Sequence, residues 1–236
     1  MGELRVGTSG YAYKEWKGNF YPEKLPQDQM LAFYAQQFRT VEINNTFYRM
    51  PSESVLEKWG VTVPDGFQFG LKLNQQITHI RKLRDCESTL KRFLEVGAVL
   101  QPNARLGPVL VQLPPTFKAD LALLDAFLAL RPRAFRFAVE VRHASWYTDD
   151  FYALLRKHGV SLCLAETDEF TPPLIATADF VYARLRKTDY TGKQIAAWKA
   201  KTDEWLAGGA DVYVYFKHED AGKGPAFAKK LLAPGK

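Results

Sequence analysis

The chain has 236 residues, 47% hydrophobic, 14% aromatic and 25% charged, with 32 Lys and Arg against 26 Asp and Glu for a formal net charge of +6. That much apolar material supports a large core, which excludes a disordered, collagenous, coiled-coil or small disulfide-stapled chain. Cys86 and Cys163 lie far apart and outside any metal-type spacing, so free buried thiols in a reducing compartment are expected. Arg5, Gly7 and Gly10 interrupt the first apolar stretch, and no run approaches the ~18 apolar residues of a membrane span. A cytoplasmic protein with no membrane partner is the expectation.

Strand and helix patterns alternate eight times. Leu4–Thr8 reads as a strand, followed by a long aromatic loop, Tyr11–Asp28, and a helix over Gln29–Gln37. The second unit is Thr40–Asn44 and Ser52–Trp59, with Ser52 as N-cap; the third is Phe67–Leu73 and Glu87–Ala98; the fourth is Val109–Leu113 and Leu121–Leu130. Phe135–Val141 leads to Asp149–His158, stopped by Gly159. Val160–Ala165 has only a weak helix after it, Phe180–Leu185 leads to Ile195–Leu206, and Val212–Phe216 leads to Phe227–Leu232. Eight such units without a linker or a composition break predict an α/β fold, a single (β/α)8 TIM-type barrel occupying residues 1–236 as one domain. A doubly wound sheet is the alternative. Against it, Gly7-Thr8-Ser9-Gly10 lacks the spacing of a dinucleotide-binding turn.

In a barrel the outward face of each strand meets apolar helices, so the apolar parity of a strand assigns the opposite parity to the interior. Val41 and Ile43 then face helices and leave Thr40, Glu42 and Asn44 inside. The same rule turns Gln68, Gly70, Lys72, Gln112, Arg136, Glu140, Arg142, Tyr182, Arg184, Arg186, Tyr213, Tyr215 and Lys217 inward. Barrel interiors are ordinarily aliphatic, and the charges fall late in their strands, at the C-terminal mouth where binding groups of this architecture sit. Five cations, Lys72, Arg142, Arg184, Arg186 and Lys217, stand against Glu42 and Glu140, and the surplus predicts an anionic ligand. The alternative is an interlocked ion-pair network completed by Glu166, Asp168 or Glu219.

Glu42 and Glu140 are the candidate acid and base, with His143 as a further proton-transfer group. Salt bridges from these carboxylates to Lys72 and Arg142 are the structural alternative. The cationic surplus favours a functional Glu140, whose replacement by Gln the fold should tolerate. Lys72, Arg142 and Arg184 are the candidate anion holders, with Gln112 beside them. Tyr11, Trp16 and Trp146 are candidate stacking contacts; equally, these loop aromatics form mini-cores of their own. No cofactor is expected. A divalent metal held by His79, His143 and His218 with Glu42, Glu140 or Glu166 is the alternative, although no HxH, HxxxH or CxxC spacing supports it. Residues 179–236 hold 11 basic and 7 acidic side chains, which favours a nucleic-acid partner only weakly. The expected function is a hydrolase or lyase acting on a phosphorylated or other anionic substrate. The alternative is a non-catalytic adaptor for an anionic metabolite or single-stranded nucleic acid. Protein partners leave no signature in the sequence.

Several of these stretches together resemble the YecE-like family, a barrel family of unknown function. They are Gly7-Thr8-Ser9-Gly10-Tyr11 with Trp16 and Phe20-Tyr21-Pro22, Thr40-Val41-Glu42-Ile43-Asn44 with Thr46-Phe47-Tyr48-Arg49, Lys72 with Thr78-His79, Gln112-Leu113-Pro114-Pro115, and Glu140-Val141-Arg142-His143 with Ser145-Trp146. The resemblance implies the barrel fold and no established reaction. The chain departs from the family pattern at Arg186-Lys187, at Lys217-His218, and at Glu166, where the family usually has an aspartate.

Overall fold

Strands that bury both faces need apolar side chains toward the helices and a separate filling inside. The computed structural model, which describes residues 2–217 and 222–233, has this two-layer arrangement. The strands are β1 Leu4–Thr8, β2 Thr40–Ile43, β3 Gln68–Lys72, β4 Leu106–Gln112, β5 Phe137–Glu140, β6 Ser161–Glu166, β7 Phe180–Leu185 and β8 Asp211–Phe216. The helices are α1 Met30–Gln37, α2 Glu53–Thr62, α3 Glu87–Gly97, α4 Leu121–Ala129, α5 Asp149–His158, α6 Gly192–Ala207 and α7 Lys223–Leu232. All strand pairs are parallel; β1 pairs with β8 and the order then runs through β7 to β2. The ring closes between β1 and β2 through the Ser9–Glu42 bridge and a 2.8 Å hydrogen bond from the Gly10 N–H to the Glu42 carbonyl. This is the expected α/β barrel. Among the described residues no helix is long and apolar enough to cross a membrane.

The parity expectation holds along the strands. Val41, Ile43, Phe69, Leu71, Val109, Val111, Phe137, Val139, Val212 and Val214 join the large core between sheet and helices. Leu110, Ala138, Cys163, Phe180, Tyr182, Tyr213 and Tyr215 form a separate cluster inside the barrel. Buried tyrosines suit such an interior only if each hydroxyl finds a partner. Tyr213 donates to Gln68 Oε1 at 2.6 Å, and the Tyr215 hydroxyl lies 2.8 Å from Thr40 Oγ1. Arg136 is inward, at the N-terminal end, where it bonds Asp211 at 2.6 Å and belongs to the barrel floor.

Boundaries shift where local polar chemistry outweighs hydrophobic period. α6 begins at Gly192, ahead of the expected Ile195, because Thr191 and Gln194 form a reciprocal capping box. Ser52 does sit at the N-cap of α2, but its hydroxyl bonds Ser54 and not the backbone. The weak helix expected after β6 is absent. Pro172 and Pro173 break that segment, and Thr177 Oγ1 holds it against the barrel by accepting from Leu162 N and donating to Val160 O. Cys86 and Cys163 are buried free thiols.

Closure of the barrel depends on close backbone approach at Gly7. A Cβ there would stand 2.1 Å from the Thr40 carbonyl oxygen and 2.8 Å from the Tyr34 hydroxyl. Gly7→Ala is therefore expected to cost more than about 2 kcal/mol in denaturant unfolding, because strands β1 and β2 must move apart. Gly159→Ala meets no atom but imposes φ of +61° on a side-chain-bearing residue, and should cost about 1 kcal/mol.

Candidate functional site

The last inward residues of β2, β5 and β7 meet on the barrel axis. Arg184 lies between two carboxylates: Nε and Nη2 donate to Glu42 Oε1 at 3.2 and 2.9 Å, and Nη1 donates to Glu140 Oε2 at 2.6 Å. Glu42, Glu140 and Arg184 are 0%, 1% and 2% exposed. Each carboxylate is completed by neutral or charged donors. Glu42 accepts from Ser9 Oγ and from the Tyr182 hydroxyl, both at 2.6 Å. Glu140 accepts from Gln112 Nε2 at 2.8 Å and from Arg186 Nη1 at 3.2 Å. Two carboxylates and two guanidiniums thus form a closed, charge-balanced group, an ion-pair network that neither Glu166 nor Asp168 completes. Its cations are Arg184 and Arg186, however, and not Lys72 and Arg142.

Burial by itself would push both carboxyls toward the neutral acid. The Arg184 charge outweighs it at Glu42, helped by the Ser9 and Tyr182 hydrogen bonds, so that carboxyl titrates below its ordinary value. At Glu140 burial is again the largest influence, and Arg184 and Arg186 overcome it, lowering the carboxyl to about 2. Both carboxylates are ionised at neutral pH, and each of their oxygens accepts at least one hydrogen bond.

Above this network lies a second group of cations. Lys72 ends β3 with its Nζ 4.1 Å from the centroid of the Phe47 ring. His79 meets the same ring edge-on at 4.8 Å and bonds Thr78 Oγ1 through Nδ1. Burial, the Arg184 charge and Lys217 lower the Lys72 ammonium to about 8, against the opposing pull of Glu42 and Glu140. Burial together with Lys72 and Arg142 also lowers His79. Among the described residues Lys72, Arg142 and Lys217 have no carboxylate within salt-bridge distance. Arg142 and Lys217 are exposed rather than inside, corrections to the parity reading. β5 ends at Glu140, so alternation no longer governs residue 142. Arg142 lines a cavity of about 340 Å³ with Glu140, Arg186, Tyr147, Phe170 and the exposed Glu169.

The aromatic candidates divide. Trp16 and Trp146 are both fully buried and do not line the mouth. Trp16 packs on Tyr13, Phe20 and Tyr21; Trp146 packs on Phe117 and Phe151 and donates to the Phe117 carbonyl at 2.8 Å. They are loop mini-cores, because large aromatics in long loops bury one another before they serve a ligand. Tyr11 is partly exposed and lines a smaller cleft with Asn44, Asn45 and Trp59. His143 uses Nδ1 on the Ser145 backbone N–H at 3.2 Å and Ser145 Oγ at 2.9 Å, so it caps its loop. Glu166 faces away from the axis, paired with Lys187 at 3.1 Å and Trp198 at 2.9 Å. His218 and Glu219 lie outside the described residues, among which no group of three or more His, Cys, Asp and Glu side chains is arranged to hold a metal. Sequence reading missed Ser9 as a donor, although it continues the inward parity of Arg5 and Gly7.

The network sets an expectation opposite to the one drawn from cationic surplus. Glu140→Gln leaves Arg184 and Arg186 short of one negative charge in a dry interior and should cost about 3 to 5 kcal/mol in denaturant unfolding at neutral pH. A carboxyl lowered on folding supports the fold above its unfolded value of 4.5 and loses that support as pH falls toward about 2. The gap between wild type and Glu140→Gln should therefore narrow from pH 5 downward.

A sequence profile of the family described as "Protein of unknown function DUF72" matches residues 5–234. UPF0759 protein YecE of Escherichia coli (strain K12) is 36% identical over 115 residues, 48% of this chain and 42% of YecE. UPF0759 protein YunF of Bacillus subtilis (strain 168) is 29% identical over 156 residues, 63% of this chain and 54% of YunF. The matches span about half the length of these relatives. A crystal structure of a DUF72 family protein from Thermotoga maritima superposes with a TM-score of 0.86 at 26% identity, covering 97% of both chains. A family 2 AP endonuclease from Brucella melitensis shares the fold alone, with a TM-score of 0.57 at 10% identity over 96% of each chain. With the profile running through nearly every strand and helix, the chain belongs to DUF72, the family to which its YecE-like signature pointed.

Proposed function

We propose that this barrel is a hydrolase or lyase that takes a phosphorylated or otherwise anionic substrate at its C-terminal mouth. The observation that carries the reading is the charge balance. Glu42 and Glu140 are satisfied by Arg184 and Arg186, which leaves Lys72, Arg142 and Lys217 without a carboxylate partner among the described residues. Unpaired cations around a concave opening are the electrostatic counterpart of an anion. In this reading Arg142 and Lys217 hold the anionic group, and Lys72 and His79 move protons. Glu42 and Glu140 act indirectly, as fixed charges that position Arg184 and Arg186. A single-stranded nucleic acid would present the same phosphate chemistry.

A second reading has its own observation. With every carboxylate oxygen of Glu42 and Glu140 occupied, the most obvious acid–base pair is already engaged, as a non-catalytic adaptor for an anionic metabolite would permit. Turnover separates the two. Phosphomonoesters, phosphodiesters and glycosides should be screened with wild type and Lys72→Met; binding without turnover across the panel favours the adaptor.

Anion binding itself has a direct check. Phosphate or sulfate should raise the melting temperature by several degrees beyond sodium chloride at matched ionic strength, because a ligand held only by the folded state stabilises it by mass action. The increment should shrink as pH rises through about 8 and Lys72 loses its proton. Equal shifts for both salts would mean screening of the +6 surface and no specific site.

A further inference from the structure

We propose that Lys72 is a nucleophilic amine that captures an aldehyde or ketone carbonyl of the anionic substrate as an imine. This rests on the anion-binding reading above and narrows its substrate class to carbonyl compounds that carry a phosphate or carboxylate.

The geometry sets Lys72 apart from other lysines of the barrel. Lys187, two residues beyond β7, has the usual arrangement of a mouth lysine, an ion pair with Glu166 at 3.1 Å. Among the described residues Lys72 has no such pair, although Glu42 and Glu140 are close enough to act on its charge. Both carboxylates are committed to Arg184, Arg186, Gln112, Ser9 and Tyr182. The position of Lys72 is nonetheless fixed. Its own carbonyl accepts from Thr46 Oγ1 at 2.7 Å, which ties the end of β3 to the segment carrying Phe47, and the Phe47 ring lies beneath the ammonium. A ring face supports a cation weakly and offers no proton acceptor. The charged groups around the amine are Arg184 and Lys217, which disfavour its protonation, and Glu42 and Glu140, which favour it; with burial added, the ammonium is lowered to about 8, so the neutral amine is well populated at mildly alkaline pH. A lysine desolvated beside other cations is the form in which this side chain acts as a nucleophile.

The step balances without an oxidant or reductant. The neutral Nζ adds to the carbonyl carbon, and the C=O π pair moves onto oxygen, which takes up a proton while nitrogen gives one up. The carbinolamine then expels that oxygen as water as the C=N bond forms, so amine and carbonyl give imine and water. His79, on the edge of the same Phe47 ring, is kept toward its neutral form by burial and by the charges of Lys72 and Arg142. In this step it would carry the proton from nitrogen to the departing oxygen through Nε2, since Nδ1 is engaged by Thr78. Arg142 and Lys217 would hold the anionic end.

Pyridoxal 5′-phosphate, an aldehyde carrying a phosphate, is a suitable probe. The protein is treated at pH 8 with less than one equivalent, reduced with borohydride and mapped by peptide mass spectrometry. Pyridoxal without its phosphate and the variants Lys72→Arg and Lys72→Met serve as controls, each checked for folding by thermal unfolding. At pH 8 an ordinary lysine is neutral to well under one part in a hundred, so Lys72 should be labelled at least about tenfold ahead of the mean of the other lysines. Both variants should lose this label, inorganic phosphate should compete with it, and pyridoxal should give much less. Label spread over surface lysines with no preference for Lys72, in a protein that phosphate still stabilises, overturns the imine and leaves the anion site standing. Absence of both the selective label and the phosphate stabilisation overturns the two readings together.

Discussion

Arg184 is the residue on which the interior depends. Two ionised carboxylates inside one barrel repel each other and lose their hydration, and each is tolerable only with a cation and hydrogen bonds supplied at the right distance. A single guanidinium meets both, its Nε and Nη2 edge toward Glu42 and Nη1 toward Glu140. A lysine could not do so, because its point charge lacks the planar fork that spans two acceptors. The bridge joins β2, β5 and β7, strands from different sides of the ring, so the electrostatic group is also a tie across the barrel.

Around this tie the interior is graded along the axis. At the floor, Arg136 with Asp211 and Tyr213 with Gln68 fill the space with paired polar groups. In the middle the Tyr215 hydroxyl meets Thr40 Oγ1, within the interior cluster that also holds Ala138. Above Arg184, partners become scarce and cations accumulate. Charged groups perturbed by burial and by like-charged neighbours are enriched at functional sites, though structural ion-pair networks perturb them too.

Much of the barrel was legible because alternation inside parallel strands is a rigid rule. Glu42, Glu140, Tyr182, Arg184 and Arg186 were assigned inward from the apolar parity of their neighbours, and there they lie. The rule fails where the strand ends. Arg142 follows β5 by two residues and swings to the rim, and His143 turns into a loop cap. Pairing was not legible, since parity says which face a residue occupies and not which partner it meets across the axis. The structural alternative therefore paired Glu140 with Lys72 or its sequence neighbour Arg142, when Arg184 from another strand is the nearer cation. Trp16 and Trp146 illustrate a second limit. Aromatic content marks a loop as ordered, but whether its rings face a ligand or each other depends on tertiary packing that the local sequence does not encode.

The central claim is that satisfying the carboxylates internally leaves Lys72 without a carboxylate partner among the described residues, as an easily deprotonated amine. The most direct measurement is the titration of Lys72 itself, followed by NMR on protein with isotopically labelled lysine side chains and assigned with Lys72→Arg. The account predicts that Lys72 titrates near pH 8, lowered from the ordinary lysine value of 10.5. A Lys72 titrating near 10.5 would contradict it, and would mean that a carboxylate reaches the amine after all.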